Sequence, residues 1–456
     1  MPLPDLNYQL LLAVFLGIDV LLILILRLRI QAFISLLIAS IVVGLVAGMP
    51  PGDILHSMQT GMGNTLGFVA TVVGLGAMFG AILENTGGAR SIANFLLAEM
   101  GVKRAPLAMA ISGFVIAIPV FFDVAFIILT PIIYSLQRKT GKSLLLYAIP
   151  LLAGLAITHT FIPPTPGPVA VADVLDVSLG SVIVIGAIAG VPTLLICGIW
   201  YGKFISKKIF LEASEEQKDE NTKIDGLPPV GLILAIIATP ILLIVMSTLT
   251  ESGLLNVDGI TIADNLTLKS VIKLLGHPFT ALIISNIMAW YLLGRGQGLS
   301  KEQLFDITTK SMAPAGTIIL LTGAGGVFKQ ILIDTEAGAM MANLLLKTGI
   351  PLILFAFLAA ALIRVIQGSA TVAMLTAAGI VAPLVGSDLS EFDTACLVIA
   401  IASGASVLSH VNDSGFWLVG QYLGMSEKQT ALSWSVMTTL LAITGFATAW
   451  LLTLAF

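Results

Sequence analysis

Residues Thr158-His-Thr-Phe-Ile-Pro-Pro-Thr-Pro-Gly-Pro168 interrupt an apolar run that extends from about residue 143 to residue 176. Four prolines between positions 163 and 168 cannot continue a helix, because each lacks the N–H donor and clashes with the turn before it. The chain must unwind there, and the carbonyl and N–H groups it frees need water or a bound molecule as partners. Outward from this break the sequence stays apolar. Of 456 residues, 57% are hydrophobic, 11% are charged and 44 are glycine, with a mean hydropathy of +1.02. Soluble domains carry about 25% charged residues, so the chain reads as an all-α polytopic membrane protein. That excludes a secreted disulfide scaffold, a nucleic-acid binder and a soluble enzyme. Cys197 and Cys396 lie in apolar runs and read as packing residues.

Apolar stretches recur at about residues 8–26, 31–49, 61–83, 105–136, 143–176, 178–202, 228–250, 277–294, 311–333, 350–386, 394–423 and 430–455. The first has no basic residue before it and reads as a retained span rather than a signal peptide. Two stretches are too long for one crossing and too short for two. Residues 105–136 break at Pro119 and Asp123, and their flanks carry Lys103, Arg104, Arg138, Lys139 and Lys142. Cytoplasmic loops collect Lys and Arg, so both ends are expected on the cytoplasmic side. The segment is then a re-entrant helical hairpin, allowed at membrane depth only within protein or beside a wet cavity. Residues 350–386 break at Gly368-Ser369, have acidic residues beyond them, and are expected to re-enter from outside. Ten full crossings remain, both termini lie outside, and 17 of the 22 Lys and Arg residues fall in cytoplasmic loops. The polar segment 203–227 reads as a solvated cytoplasmic linker between residues 1–202 and 228–456.

The two halves resemble each other. Phe79-Gly-Ala-Ile-Leu-Glu-Asn-Thr-Gly aligns with Phe328-Lys-Gln-Ile-Leu-Ile-Asp-Thr-Glu, and Ala93-Asn-Phe-Leu-Leu97 with Ala342-Asn-Leu-Leu-Leu346, both 249 positions on. Phe122-Asp123 aligns with Gly368-Ser369, Thr158-His159 with Ser409-His410, and Leu175-Asp-Val-Ser178 with Leu423-Gly-Met-Ser426. Each half then holds five crossings and one hairpin. An odd number of crossings turns the second copy over, and inverted repeats with interrupted helices are the mark of secondary transporters.

Four interruptions are expected to converge: two hairpin tips and two broken helices. The second broken helix reads Ser409-His-Val-Asn-Asp-Ser-Gly-Phe-Trp417, polar where the first is proline-rich. An Asp and a His within one turn inside lipid are costly without a function. The outer tip, Gly368, Ser369 and Thr371, offers hydroxyls and the N–H groups of a helix start, suited to a carboxylate. The inner tip offers Phe122 and Asp123. The expected substrate residues are therefore Phe122, Thr158, His159, Thr165, Gly167, Gly368, Ser369, Thr371, His410, Asn412, Asp413 and Ser414. Asp123 is the first candidate for a coupling proton, because burial disfavours a charged carboxylate; His159, His410 and Asp413 follow. Arg364 could balance an anion or pair with Asp413, and Lys329 could snorkel to the outer interface. No metal site is expected. Gly61-Met-Gly63 and Gly323-Ala-Gly-Gly326 suit close helix packing, not phosphate binding.

These stretches, with Gly61-Met-Gly-Asn-Thr-Leu-Gly67, Gly325-Gly-Val-Phe-Lys-Gln330 and Gly368-Ser-Ala-Thr-Val-Ala373, resemble the gluconate permease family of the ion transporter superfamily. The resemblance spans nearly the whole chain. It implies proton-coupled uptake of a small organic acid such as gluconate, or of D-serine in one branch, with no cofactor; H+ is the implied coupling ion, and Na+ stays open. It also implies a bacterial inner membrane, a homodimer in the lipid bilayer and an elevator-like motion. Two positions depart from the usual gluconate pattern: Thr165 stands where His is common, and Asp123 where Glu is.

Overall fold

The structure, a computed structural model, describes residues 8–213, 226–251, 266–337, 340, 349–386, 389–411 and 413–455. Asn412, Lys347, Asp388 and residues 214–225 of the expected linker lie outside the described residues. Among those described, every regular element is a helix. In the first half these are α1 (Tyr8–Leu22), α2 (Ala32–Val46), α3 (Pro51–Asn85), α4 (Gly88–Met100), α5 (Ala105–Ile116) and α6 (Phe122–Thr140), then α7 (Leu145–Phe161), α8 (Pro166–Val174), α9 (Leu179–Thr193) and α10 (Tyr201–Lys208). The second half has α11 (Val230–Glu251), α12 (Leu266–Gly276), α13 (Pro278–Met288), α14 (Lys301–Lys310) and α15 (Met312–Asp334). It continues with α16 (Leu352–Gln367), α17 (Ala370–Val381), α18 (Glu391–Gly404), α19 (Ser414–Tyr422), α20 (Glu427–Thr430) and α21 (Val436–Ala455).

Seven helices among the described residues are long and apolar enough to cross a membrane, or eight if the pair bent by 66° around His277 forms one span. The sequence predicts ten. One difference is α2, whose 15 residues reach only about 22 Å against a hydrocarbon core of about 30 Å. The other is the 394–423 run, which divides into α18 and α19 around a non-helical stretch. Residues 61–83 are the middle of the 35-residue α3, which starts early because Pro51 suits a first helical turn.

The expected linker also needs correction at its start. A π-helical turn, Leu194–Trp200, joins α9 to α10, so helix runs to Lys208. The chain after it is packed rather than solvated: Ser143 Oγ donates to the Ile209 carbonyl (2.9 Å), and the Leu144 N–H donates to the Leu211 carbonyl (3.0 Å).

Small residues set the crossings. A Cβ on Gly154 of α7 would stand 2.3 Å from the Ala110 carbonyl oxygen of α5, and one on Gly404 of α18 would stand 2.3 Å from that of Phe357 on α16. These pairs therefore meet backbone to backbone. Gly61 and Gly326 do the same between α3 and α15, as the packing reading of those glycines requires. Helix starts recur at a nearly constant interval: α6 and α17, α8 and α19, and α9 and α20 each begin 248 positions apart. The N-caps of α9 and α20, Ser178 and Ser426, each accept from the backbone three residues on. By this register the partner of Ser369 is Phe121, and Asp123 falls opposite Thr371, two residues from the sequence alignment of the tips.

Candidate functional site

The first break, Ile162–Thr165, separates α7 from α8 and contains a cis Pro163–Pro164 bond. Its hydroxyls are turned to local carbonyls: Thr158 donates to Phe114 of α5 (2.8 Å) and Thr165 to Ile162 (2.6 Å). Both residues are buried. His159 Nδ1 is buried with no partner among the described residues, and its ring lies edge-on to Phe121 at the α6 tip, 6.4 Å between centroids. Gly167, in the first turn of α8, leaves room for Met374 of α17, whose sulfur would come within 3.0 Å of an added Cβ. The α6 tip and this break also share α3: Gly80 accommodates the Pro119 carbonyl, and Gly76 faces that of Pro164.

The second break is held by a polar network. Asp413 caps α19, its Oδ1 accepting from the Gly415 N–H (3.1 Å). Its Oδ2 accepts from Ser409 Oγ and from Arg364 Nη2, the latter at 2.5 Å. Ser409 is fixed in turn by Trp434 Nε1 (2.6 Å), by Thr438 Oγ1 on its N–H (3.2 Å) and by Ser435 Oγ on its carbonyl. His410 Nε2 donates to the Val365 carbonyl on α16 (2.7 Å). Leu408 takes a positive φ of 45° in the same stretch. Arg364 is only 4% exposed, and its Nε and Nη1 have no hydrogen-bond partner among the described residues.

At the outer tip, Gly368 ends α16 in the left-handed region, where a Cβ is disfavoured. Ser369 caps α17, its Oγ accepting from the Val372 N–H (3.3 Å), while its own N–H donates to Gln367 Oε1 (2.9 Å). Thr371 lies half-buried in the first turn. The α6 tip reaches the same region. Phe122 stacks against Trp434 at 5.4 Å, and Asp123 is close enough to Asp413 for the carboxylates to interact. Phe122 is thus a buried buttress of the second break, Asp123 is exposed at the tip, and Ser414 is exposed on α19.

The structure therefore joins Arg364 of α16 to Asp413 at the start of α19 and His410 to Val365 of α16, with Asp123 within electrostatic reach of Asp413; Ser369 and Thr371 stand at the start of α17, just beyond Arg364 in sequence. Thr158 and Thr165 are spent on the backbone of the first break. Lys329, half-buried on α15, lies within electrostatic reach of Asp173 and Asp176 near the end of α8. A cleft of about 770 Å³ runs from Arg29 and Gln31, between α1 and α2, past Thr317 to Gln367, Val372 and Val411 beside this cluster. Sequence reasoning missed Trp434, Ser435, Thr438 and Gln367. The one signal was the hydroxyl-rich run Ser433–Thr439 at the head of an apolar span. Among the described residues no His, Cys, Asp and Glu group could hold a metal ion.

Residues 9–455 match the model of the GntP family permeases. The low-affinity gluconate transporter of Escherichia coli K12 is 39% identical over 93% of this chain and 94% of its own length. A gluconate permease of Pseudomonas aeruginosa is 36% identical over 95% of each chain. The Gnt-II system L-idonate transporter of Escherichia coli K12 is 34% identical, covering 94% of this chain and 95% of its own. In fold the chain is similar to the Alcanivorax borkumensis YdaH transporter, with a TM-score of 0.62 at 14% identity, covering 97% of this chain and 98% of that one. It is also similar to Neisseria gonorrhoeae MtrF, with a TM-score of 0.64 at 15% identity, covering 98% and 95%.

Proposed function

This chain belongs to the GntP permease family, and from that premise we propose that it is a secondary active transporter carrying gluconate or a related sugar acid together with a proton. The observation that carries the reading is the buried, incompletely partnered Arg364, in the last turn of α16 and paired with Asp413 at the start of α19. Helix starts present free N–H groups and the positive end of the dipole, and a guanidinium adds a full charge suited to a carboxylate. Ser369 and Thr371 supply hydroxyls for the polyol. The groups available to carry the proton are Asp123, His159, His410 and Asp413. The names of the relatives support a sugar acid and give a hydroxy amino acid no support.

The same reading takes the two halves as inverted repeats, each with a re-entrant hairpin: the 248-residue recurrence of helix starts supports a repeat, and the distribution of Lys and Arg supports its inversion. It puts both termini on the outer face of a bacterial inner membrane, following the positive-inside rule, and takes the transporter as a homodimer with an elevator-like stroke. Uptake into proteoliposomes tests the function. One charge crossing 100 mV is worth about 2.3 kcal/mol, so a monoanion entering with one proton gains nothing from a voltage. Gluconate should accumulate under an imposed ΔpH and ignore an imposed potential. Accumulation of D-serine under the potential, with none of gluconate, would overturn the reading.

A further inference from the structure

Asp413 holds Arg364 with a carboxylate, the same group a sugar acid would bring to it. Arg364 is 4% exposed and shares no other ion pair among the described residues, yet two of its nitrogens still lack partners. A guanidinium so placed is paired but not saturated. Asp413, by contrast, is engaged on both oxygens: Arg364 and Ser409 on Oδ2, the Gly415 N–H on Oδ1. The cleft that runs from Arg29 ends at Gln367, Val372 and Val411, neighbours in sequence of Arg364, Ser369 and Asp413.

We infer that Asp413 is an internal stand-in for the substrate carboxylate, and that sugar acid and Asp413 compete for Arg364, so that substrate binds only as Asp413 takes up a proton. The inference rests on the proton-symport reading above and assigns its coupling step. The other titratable groups facing Asp413 among the described residues are Asp123, from the α6 tip, and His410, whose ring is turned to the Val365 carbonyl. With Arg364 drawn to the substrate, Asp413 would be left anionic, half-buried and beside Asp123. A buried charge that loses its partner is strongly disfavoured, and taking up a proton removes that charge. Nothing is oxidised or reduced: one O–H bond forms on the Asp413 carboxyl as substrate arrives and breaks as it leaves. The charge of the site is then conserved. Empty, Arg364 and Asp413 sum to zero; loaded, Arg364 and the substrate anion sum to zero over a neutral Asp413. Either form can move across a membrane without carrying net charge.

Calorimetry on the purified protein with gluconate, in buffers of different ionisation enthalpy, reads the number of protons taken up per ligand. Wild type should take up one proton, and by linkage its affinity should rise about tenfold per unit fall in pH wherever binding takes up that proton. Asp413→Asn, which keeps shape and can still accept from Gly415, should bind gluconate with no proton uptake. Arg364→Gln should lose binding by at least about 10-fold, the scale of a lost charged hydrogen bond. Should Asp413→Asn fail to fold, infrared difference spectra of wild type decide: gluconate binding should raise a protonated-carboxyl band, and its absence overturns the inference. Continued uptake of one proton by Asp413→Asn overturns it too, as does unchanged affinity in Arg364→Gln. Wild type that binds neither gluconate nor idonate overturns the functional reading itself, and this inference with it.

Discussion

Ser369 does two separable things. Its Oγ accepts from the Val372 N–H and so caps α17, while its hydroxyl proton remains free to donate to a ligand. Replacing a capping Ser with Ala costs about 1 kcal/mol, and with Gly only a few tenths. Losing a hydrogen bond to a buried ligand costs about 1–3 kcal/mol, roughly 5- to 150-fold in affinity. Ser369→Ala and Ser369→Gly should therefore differ in thermal stability yet weaken gluconate binding alike. Affinity that tracks stability instead would confine Ser369 to capping. Sequence alone singled out Ser369, Thr371, His410 and Asp413 as candidates, because a polar group inside an apolar run is costly to bury and stands out against its neighbours. It could not show that Thr158 and Thr165 turn inward to Phe114 and Ile162. A threonine hydroxyl serves a backbone carbonyl or a ligand equally well, and the choice depends on a neighbouring helix that no local pattern reveals.

At the level of helices, glycine placement separates contacts that hold the bundle from those that do not. Gly154 and Gly404 lie at crossings where a Cβ would come within 2.3 Å of a backbone oxygen, which cannot yield without parting the helices. Gly63, inside α3, has nothing within 4 Å of its missing Cβ. Gly154→Leu and Gly404→Leu should each abolish monodisperse protein in detergent, while Gly63→Ala should raise the melting temperature, since Ala exceeds Gly in helix propensity by up to about 1 kcal/mol. A well-behaved Gly404→Leu protein would remove the backbone-to-backbone account of α16 and α18. The breaks themselves were readable: Pro163 to Pro168, and Gly368 with its left-handed φ, stop helices for local reasons. Their register was not. Aligning Asp123 with Ser369 uses two side chains, whereas the helix starts align Phe121 with Ser369, and only the backbone supplies that frame. The buttress formed by Trp434, Ser435 and Thr438 was equally hidden, since its hydrogen bonds join segments 25 to 29 residues apart, through Ser409.

For the molecule as a whole, the recurrence of helix starts at 248 residues is compatible with either a parallel or an inverted second copy, and orientation decides between them. The distribution of basic residues argues for inversion. Lys103 and Lys142 flank the first hairpin, whereas Ile350 and Ser390 flank the second where Lys and Arg are scarce. All four positions are exposed, so a cysteine at any of them can be reached by a charged thiol reagent. The two native cysteines, Cys197 and Cys396, are free and buried, which keeps the background low. In intact cells, Lys103→Cys and Lys142→Cys should resist a membrane-impermeant maleimide, and Ile350→Cys and Ser390→Cys should react; in inside-out vesicles the pattern should reverse. A hairpin whose two flanks label from opposite faces is a full crossing, and would change the parity of its half. Both hairpins labelling from the same face would make the copies parallel. Arg364 would still pair with Asp413, but the two halves could no longer exchange roles by symmetry, and the alternating stroke would need another source.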